Sequence, residues 1–190
     1  FDRVVSFIGE ENLQKIKRTE FERYFEKILL LIEDLQGHVP PSPYHVIGIG
    51  IAVPGIIDNS GILLHAPNLK WDNIDLISML AQHVSYPLYL SNEANAGAYA
   101  EFSFTQNKQY QHLLYASIGI GIGVGIVVNG QIYKGENGYS GESGHMLINI
   151  NGKRCTCGKN GCWEAYASEY ALIKEAEFSL RQRNISIEKL

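Results

Sequence analysis

All three cysteines of this 190-residue chain lie in one stretch of eight residues, CTCGKNGC, which begins at Cys155. Gly152, Gly158 and Gly161 stand in or beside this stretch and allow its backbone to fold back, so that the three sulfurs can converge. Three cysteines cannot all pair with one another, and clustered thiolates in a reducing compartment are more often a metal site than a disulfide. The sequence therefore predicts a loop that closes around a metal ion.

A tetrahedral zinc site needs a fourth ligand, and His145, after the glycines of GESGH, is the best-placed candidate. With Cys155, Cys157 and Cys162 it would complete a closed site, the kind that binds metal for structure rather than for hydrolysis. The alternative interpretation is three free thiols in a loop and a histidine that caps a turn. Clustered thiols without a role are an oxidation liability, which favours the metal.

Composition limits the classes of function. With 45% hydrophobic and 19% charged residues the chain is typical of a globular protein with a substantial core. The net charge of -4 and the lack of a Lys/Arg cluster give no surface for wrapping nucleic acid, so any DNA contact must belong to another part of the protein. No run of 18 apolar residues or recognisable signal peptide is present, which predicts a cytoplasmic protein without membrane contact.

Periodicity predicts the first elements. Residues 10 to 35 have apolar side chains at helical spacing, which indicates an amphipathic helix that packs on a sheet, with a partner surface as the alternative. HVIGIGIAVPG predicts a buried strand that ends in a Pro-Gly turn, and NSGILLHAPNL a hairpin-like connection. DNIDLISMLAQHV predicts a helix capped by Asp72 or Asn73. The next strand is predicted to end at Ser91 and to enter a helix near Asn95.

The segment HLLYASIGIGIGVGIVVNGQIYKG predicts a strand, a glycine-rich bend, a second strand, a turn at Asn129 and Gly130, and a third strand. Helices and strands that alternate before such a meander indicate an α/β fold. A change of composition at QNKQYQ, residues 106 to 111, predicts a boundary that separates residues 1–105 from residues 106–190. Because the chain begins with Phe1 rather than Met, we expect it to be a fragment of a longer protein.

Five segments resemble the ROK family of sugar kinases and sugar-responsive repressors: GIGIAVPG, APNLKW, SNEANAGAYAE, SIGIGIGVGIVVNGQIYKGENGYSGESGH and CTCGKNGCWEAYAS. The resemblance extends from about Val46 to Ser168, and within the family it is strongest to the xylose repressors of low-GC Gram-positive bacteria. It implies an actin-like, ribonuclease H-like ATPase fold with two lobes, incomplete in this chain. Residues 1–105 would be part of the first lobe, and residues 106–190 would begin the second. It also implies that the His145 and cysteine cluster holds a structural zinc.

In the family, the residues that match Asn92, Glu93, Glu142, His145 and Glu164 face a sugar bound between the lobes. A sugar is a ring of hydroxyl groups, and carboxylates, amides and imidazoles are the side chains that exchange hydrogen bonds with it. Each carboxylate taken alone is also compatible with a solvated surface charge, and Asn92 with a helix cap. It is their occurrence together with the zinc pattern that favours sugar binding.

Two departures from the family's kinases bear on catalysis. Glu93 stands where the kinases have an aspartate base, and its extra methylene moves the carboxylate by about an ångström, a misplacement that can cost about a hundredfold in rate. Ile120 stands where they have a threonine that bonds nucleotide phosphate, between Gly119 and Gly121. These glycines are weak candidates for phosphate binding, and close packing of the strand is the favoured interpretation of the SIGIGIGVG run. No catalytic residue is expected.

The resemblance implies a sugar-sensing, effector-binding region of a ROK-type repressor, with xylose as the favoured effector. Such a protein would be a homodimer that binds operator DNA through a winged helix-turn-helix outside this chain. The first alternative is a ROK kinase that phosphorylates a hexose with ATP and Mg²⁺, whose Gly-Gly-Thr phosphate loop would precede Phe1. The second is a zinc-bearing structural module that binds no ligand.

Overall fold

A computed structural model describes residues 18–105 and 110–183. The chain divides into two compact units, Phe1–Asn92 and Glu93–Leu190. The lobe boundary predicted between residues 105 and 106 stays a prediction. Among the described residues, no helix combines the length and apolar character that a membrane span requires.

The first unit contains two helices and five strands among its described residues. Helix α1 is Arg18–His38 and α2 is Leu76–Leu80; the strands are β1 (Ile49–Val53), β2 (Ile56–Ile57), β3 (Leu63–Ala66), β4 (Trp71–Ile74) and β5 (Leu88–Asn92). Strands β1 and β5 pair in parallel, and β2, β3 and β4 form an antiparallel sheet with an irregular register between Ile56 and Ile57. The predicted strand after the prolines forms, but it is not buried as predicted, because Val53 alone of its five residues is buried. The predicted hairpin-like connection is confirmed.

The core of the first unit forms where the apolar face of α1 meets residues of the strands and α2. Leu63, Leu76 and Leu80 are fully buried, and Phe21 of α1 contacts Trp71 edge to face, with ring centroids 5.0 Å apart. Core packing of the first helix is thereby confirmed for its described part. Residues 10–17 of the predicted helix lie outside the described residues, and α1 continues past residue 35 to His38.

The predicted cap of the second helix was wrong. Asp72 and Asn73 lie inside strand β4, where Asp72 is opposite His65 in the ladder with β3. The cap is Asp75, whose carboxylate accepts a hydrogen bond of 2.9 Å from the backbone N–H of Ser78. Three residues with short polar side chains stand close together here, and the pairing of β4 with β3 decides which of them is free to cap.

The second unit begins with helix α3, Glu93–Phe104, two residues before the predicted start near Asn95. Strands β6 (Leu113–Ile118), β7 (Ile122–Val128) and β8 (Gln131–Ile132) form the predicted antiparallel meander. Asn129 and Gly130, between β7 and β8, both have positive φ angles, which is the requirement of the tight hairpin turn that Asn-Gly favours. Both the meander and its turn are therefore confirmed.

Helix α3 packs closely on strands β6 and β7. A Cβ atom added to Gly125 would lie 2.2 Å from the carbonyl oxygen of Ala94 and 2.5 Å from the Cβ of Ala98. On the helix side, a Cβ added to Gly97 would lie 2.6 Å from the ring of Tyr115. Gly125 of the strand is thus explained by its close approach to the backbone of the helix, and Gly97 of the helix by its close approach to the ring of Tyr115. The packing interpretation therefore holds for strand β7, whereas a Cβ added to Gly119 in the bend would meet nothing within 4 Å.

The remainder of the second unit is short elements and one longer helix. A 3₁₀ helix, Glu142–His145, is followed by the cysteine loop, the single turn α4 (Glu164–Ala167) and helix α5 (Glu169–Gln182). Ser168 separates the last two and caps α5, because its hydroxyl accepts the backbone N–H of Ala171 at 3.1 Å. These elements bring the two ends of the predicted metal loop together.

Candidate metal centre

The four predicted metal ligands converge. One side-chain ligand atom from each of His145, Cys155, Cys157 and Cys162 lies within 4.8 Å of every other. The Sγ of Cys155 is 3.6 Å from Nδ1 of His145, and the sulfurs of Cys157 and Cys162 are 3.6 Å apart. The 3₁₀ helix and the cysteine loop therefore direct their ligand atoms toward one point.

The two distances of 3.6 Å are close to those of a tetrahedral metal site. Zinc bonds of about 2.3 Å to sulfur and about 2.0 Å to nitrogen place two sulfurs of a tetrahedron about 3.8 Å apart, and a sulfur and a nitrogen about 3.5 Å apart. A disulfide would require sulfurs at about 2.0 Å, and all three cysteines are free. The cluster is able to bind a metal ion, with a histidine and three cysteines as a complete set of four ligands.

The cysteine loop is held in shape by its own backbone. Cys155 donates its N–H to the carbonyl of Lys159 at 2.8 Å, and Gly161 donates to the carbonyl of Lys153 at 2.8 Å. Gly161 has φ +80°, and a Cβ there would lie 1.7 Å from the carbonyl oxygen of Asn149. Only glycine fits this position, and its presence lets the loop fold back so that the next residue, a cysteine, reaches the other ligands.

Burial changes the chemistry of two thiols. It raises the pKa of the Cys155 thiol to about 12 and also raises the pKa of Cys162. Both side chains are buried, 5% and 1% exposed, and a low-polarity environment disfavours the charged thiolate. A cation that binds here must displace these protons, and its charge then compensates the desolvation of the thiolates.

Glu164 connects the metal loop to the sheet. It is 8% exposed, and its Oε2 accepts the backbone N–H of Ile122 in strand β7 at 2.9 Å. Its Oε1 accepts the hydroxyl of Thr156 at 3.2 Å and lies 3.6 Å from the Sγ of Cys155. A buried carboxylate is costly unless it is hydrogen-bonded, and here both oxygens have protein donors.

The 3₁₀ helix lies against the same strand. A Cβ added to Gly144 would be 2.1 Å from the carbonyl oxygen of Ile122, and one added to Gly141 would be 1.9 Å from that of Val124. Glu142 and His145, the first and last residues of this helix, are therefore carried by a backbone that packs directly on β7. Strand β7 thus supports both the 3₁₀ helix and the carboxylate that follows the last cysteine.

The two remaining predicted contacts each have a partner within their own unit. Asn92, the last residue of β5, donates from Nδ2 to the carbonyl of Gly55 at 2.8 Å, which orients its side chain. Glu93, the first residue of α3, is exposed, and its Oε1 accepts the hydroxyl of Ser117 at 3.4 Å. The sugar-binding role predicted for both residues stays a prediction.

The glycine bend between β6 and β7 makes several backbone bonds of its own. Gly119 donates its N–H to the carbonyl of Gly121 at 3.0 Å, and its carbonyl accepts the N–H of Glu169 at 2.8 Å. The N–H of Ile122 is already donated to Glu164. A phosphate cradle is built from N–H groups that point outward, so two of the donors at this bend are committed elsewhere.

Sequence reasoning missed two hydroxyl side chains beside the predicted carboxylates. Thr156 bonds Glu164, and Ser117 bonds Glu93. A single Ser or Thr carries no periodic or spacing signal, because its role depends on which carboxylate the fold brings within reach. The one available signal for Thr156 is its position between two cysteines of the predicted loop.

The sequence of the chain is similar to known proteins over most of its length. The profile of the ROK family matches residues 2–190. The chain is 48% identical to the xylose repressor of Bacillus subtilis strain 168 over 139 residues, which are 73% of this chain and 36% of the repressor.

Two solved structures are similar in fold. One is a ROK family glucokinase from Streptomyces griseus in complex with glucose and AMPPNP, at a TM-score of 0.68 and 33% identity over 72% of this chain and 44% of that chain. The other is a ROK family transcriptional regulator, a homolog of the E. coli MLC protein, at a TM-score of 0.68 and 30% identity over 84% of this chain and 40% of that one. The predicted α/β, actin-like ATPase fold is confirmed. The chain spans less than half the length of each of these three proteins.

Proposed function

Because this chain belongs to the ROK family, we propose that it forms part of the sugar-sensing, effector-binding region of a ROK-type transcriptional repressor. The observation that carries the proposal is the 48% identity to a xylose repressor, against 37% to the glucokinase of Halalkalibacterium halodurans. The proposed effector is a sugar, with xylose as the favoured candidate.

The proposed sugar contacts are Asn92, Glu93, Glu142, His145 and Glu164. Two features of the second unit support this assignment. Glu142 and His145 share a 3₁₀ helix that packs on β7, and Glu164 is anchored to the same strand. A held carboxylate at Glu164 and a held backbone at Glu142 and His145 limit the entropy that is lost when these groups bond sugar hydroxyls.

The metal in the proposed site is zinc in a structural role. The donor set of one imidazole and three thiolates suits zinc, and four protein ligands leave no position open for substrate. When bound, zinc would supply a cross-link between the 3₁₀ helix, the loop and the start of α4. His145 would be held by the metal through Nδ1, the atom that faces Cys155, which leaves Nε2 for a hydrogen bond.

Sensing is favoured over phosphoryl transfer to a hexose. Glu93 replaces the aspartate of the kinases and accepts a hydrogen bond from Ser117. At the bend, Ile120 has no hydroxyl, and the N–H groups of Gly119 and Ile122 already donate to protein acceptors. Both features weigh against phosphoryl transfer, which depends on donors that position and neutralise the transferred group.

The remaining parts of the proposal concern the whole protein. Operator DNA would be bound by a winged helix-turn-helix outside this chain, in a cytoplasmic homodimer. A sugar that binds one state of the dimer more tightly than the other would shift the population toward it by the difference in binding free energy. Without such a difference, sugar binding could not regulate DNA binding.

A thermal-shift titration of the full-length protein tests this proposal. Xylose, glucose, fructose and N-acetylglucosamine are each added with and without ATP and Mg²⁺. A specific ligand at about a hundred times its dissociation constant adds about 2.7 kcal/mol of stability, a rise in Tm of several degrees. We expect xylose alone to stabilise, with no change when ATP is added.

A pair of matched variants sharpens the titration. Glu142→Ala removes a proposed sugar contact and should abolish most of the shift, whereas Glu101→Ala makes the same change at an exposed position of α3 and should leave it intact. Stabilisation by a hexose together with a response to ATP would favour the kinase. No shift with any sugar would favour the structural module.

A further inference from the structure

Thr156 lies between two of the proposed metal ligands, Cys155 and Cys157, and its side chain is directed to Glu164, the first residue of α4. Its Oγ1 donates to Oε1 of Glu164 at 3.2 Å. We propose that Thr156 is a positioning residue for sugar binding, which fixes the carboxylate of Glu164 in the orientation that the sugar meets. This inference deepens the proposed function and rests on it.

The carboxylate of Glu164 has two anchors on different elements. Oε2 is bonded to the N–H of Ile122 in the sheet, and Oε1 to Thr156 in the metal loop. A single anchor would leave the carboxylate free to rotate about its last torsion, which is broad for glutamate. Two anchors on opposite oxygens fix its plane, and each oxygen retains a lone pair that can accept from a sugar hydroxyl.

The hydroxyl is the stronger of the two contacts to Oε1. The other neighbour is the Sγ of Cys155 at 3.6 Å, and sulfur is a weak hydrogen-bond partner. A hydroxyl bonded to a carboxylate makes a charge-assisted bond, about twice as strong as a neutral one. Thr156 therefore contributes more than the neighbouring thiol to the position of this oxygen.

The placement of Thr156 depends on the loop that binds the metal. The backbone on either side is fixed by the bond from Cys155 N–H to Lys159 and by the turn from Gly158 N–H to the Cys155 carbonyl at 3.1 Å. The side chain is otherwise exposed, so its hydroxyl is not needed to fill a core. Loss of the hydroxyl should thus alter the carboxylate without unfolding the loop.

The test compares Thr156→Val, which keeps the shape and removes the hydroxyl, with Thr156→Ser, which keeps the hydroxyl. Calorimetry of the full-length protein with xylose should show affinity about tenfold weaker for Thr156→Val and within about twofold of wild type for Thr156→Ser. Bound zinc should be unchanged in both, and the loss of one hydrogen bond in Thr156→Val should lower Tm by a few degrees without unfolding the protein. Thr105→Val removes a hydroxyl that bonds the carbonyl of Glu101 at 2.6 Å, and it serves as the matched control with unchanged affinity.

A double-variant cycle with Glu164→Gln identifies the path of the effect. If Thr156 acts through Glu164, the loss from Thr156→Val shrinks in the Glu164→Gln background, because a bond to a neutral amide oxygen is weaker. Three outcomes would each overturn the inference without affecting the proposed function. The first is unchanged affinity in Thr156→Val, and the second is additive effects in the cycle. The third is loss of zinc from both Thr156→Val and Thr156→Ser. If the wild-type protein binds none of the four sugars named above, the proposed function fails and the inference fails with it.

Discussion

Gly125 decides how closely helix α3 approaches the sheet of the second unit. The helix already occupies the space that a side chain at this position would need. A Cβ atom on Gly125 would lie 2.2 Å from the carbonyl oxygen of Ala94. Backbone atoms cannot move aside as the end of a flexible side chain can. The helix would have to shift away from β7, which also carries the anchor of Glu164.

Gly125→Ala should therefore destabilise the protein by about 1 to 3 kcal/mol, the range for overpacked cores, or more if the helix cannot shift. Gly119→Ala is the matched control, because a Cβ there meets nothing within 4 Å. Chemical denaturation of both variants measures the difference. Equal stability of the two proteins would show that α3 does not pack on β7 as described.

Individual residues also show what a sequence can predict about a site. The convergence of His145 with the cysteines could be predicted, because three thiols within eight residues are typical of a metal-binding loop. The capping role of Asp75 could not, since Asp72 and Asn73 offer the same chemistry and only strand pairing excludes them. The role of the Thr156 hydroxyl could not be predicted either, because the fold decides which carboxylate lies within its reach.

At the scale of elements, the stability of the metal loop should depend on pH. Its thiols must lose protons to bind a metal ion, and burial raises the pKa of Cys155 to about 12. Apparent metal affinity should therefore rise with pH and fall as the solution is acidified. Without metal, the pH dependence of folding stability is reversed. The buried, protonated Cys155 thiol costs the folded state nothing below the ordinary thiol pKa. As pH rises from there toward about 12, the unfolded chain loses the thiol proton more readily, and the folded state becomes less stable.

Dialysis of the full-length protein against a zinc chelator at pH 8 and at pH 5.5 measures this dependence. We expect more zinc to be lost at pH 5.5, and a lower Tm in whichever sample has lost it, because binding energy at such a site is folding energy. Zinc content that is the same at both pH values would contradict thiolate ligation. An unchanged Tm after complete removal would contradict a structural role.

Elements with a strong local signal were predicted well. The β6 to β8 meander has alternating apolar residues and an Asn-Gly turn, and it forms as the pattern indicates. Strand β4 was mistaken for the start of a helix, because its two central residues, Asp72 and Asn73, are rare in strands and its pairing with β3 is a tertiary event. Helix α3 began earlier than predicted because Glu93, an acidic residue in its first turn, suits a helix N-terminus.

At the scale of the whole molecule, we infer that a kinase-like fold serves to sense sugar. The residues that favour sensing are Glu93 and Ile120, and the residues that favour retained sugar binding are those anchored to β7. A sensor needs the sugar contacts, but it does not need the aspartate base that the kinases have in place of Glu93 or the threonine that they have in place of Ile120. The consequence for the full-length protein is that sugar should change its affinity for DNA and should not be consumed.

The most direct test is fluorescence anisotropy of the full-length protein with labelled DNA from its own promoter region, titrated with xylose and, in parallel, with glucose. We expect xylose to weaken DNA binding in proportion to its own binding, and added ATP and Mg²⁺ to leave the response unchanged. DNA binding that is indifferent to every sugar, or formation of a sugar phosphate in the same mixture, would contradict the claim that this region is a sensor.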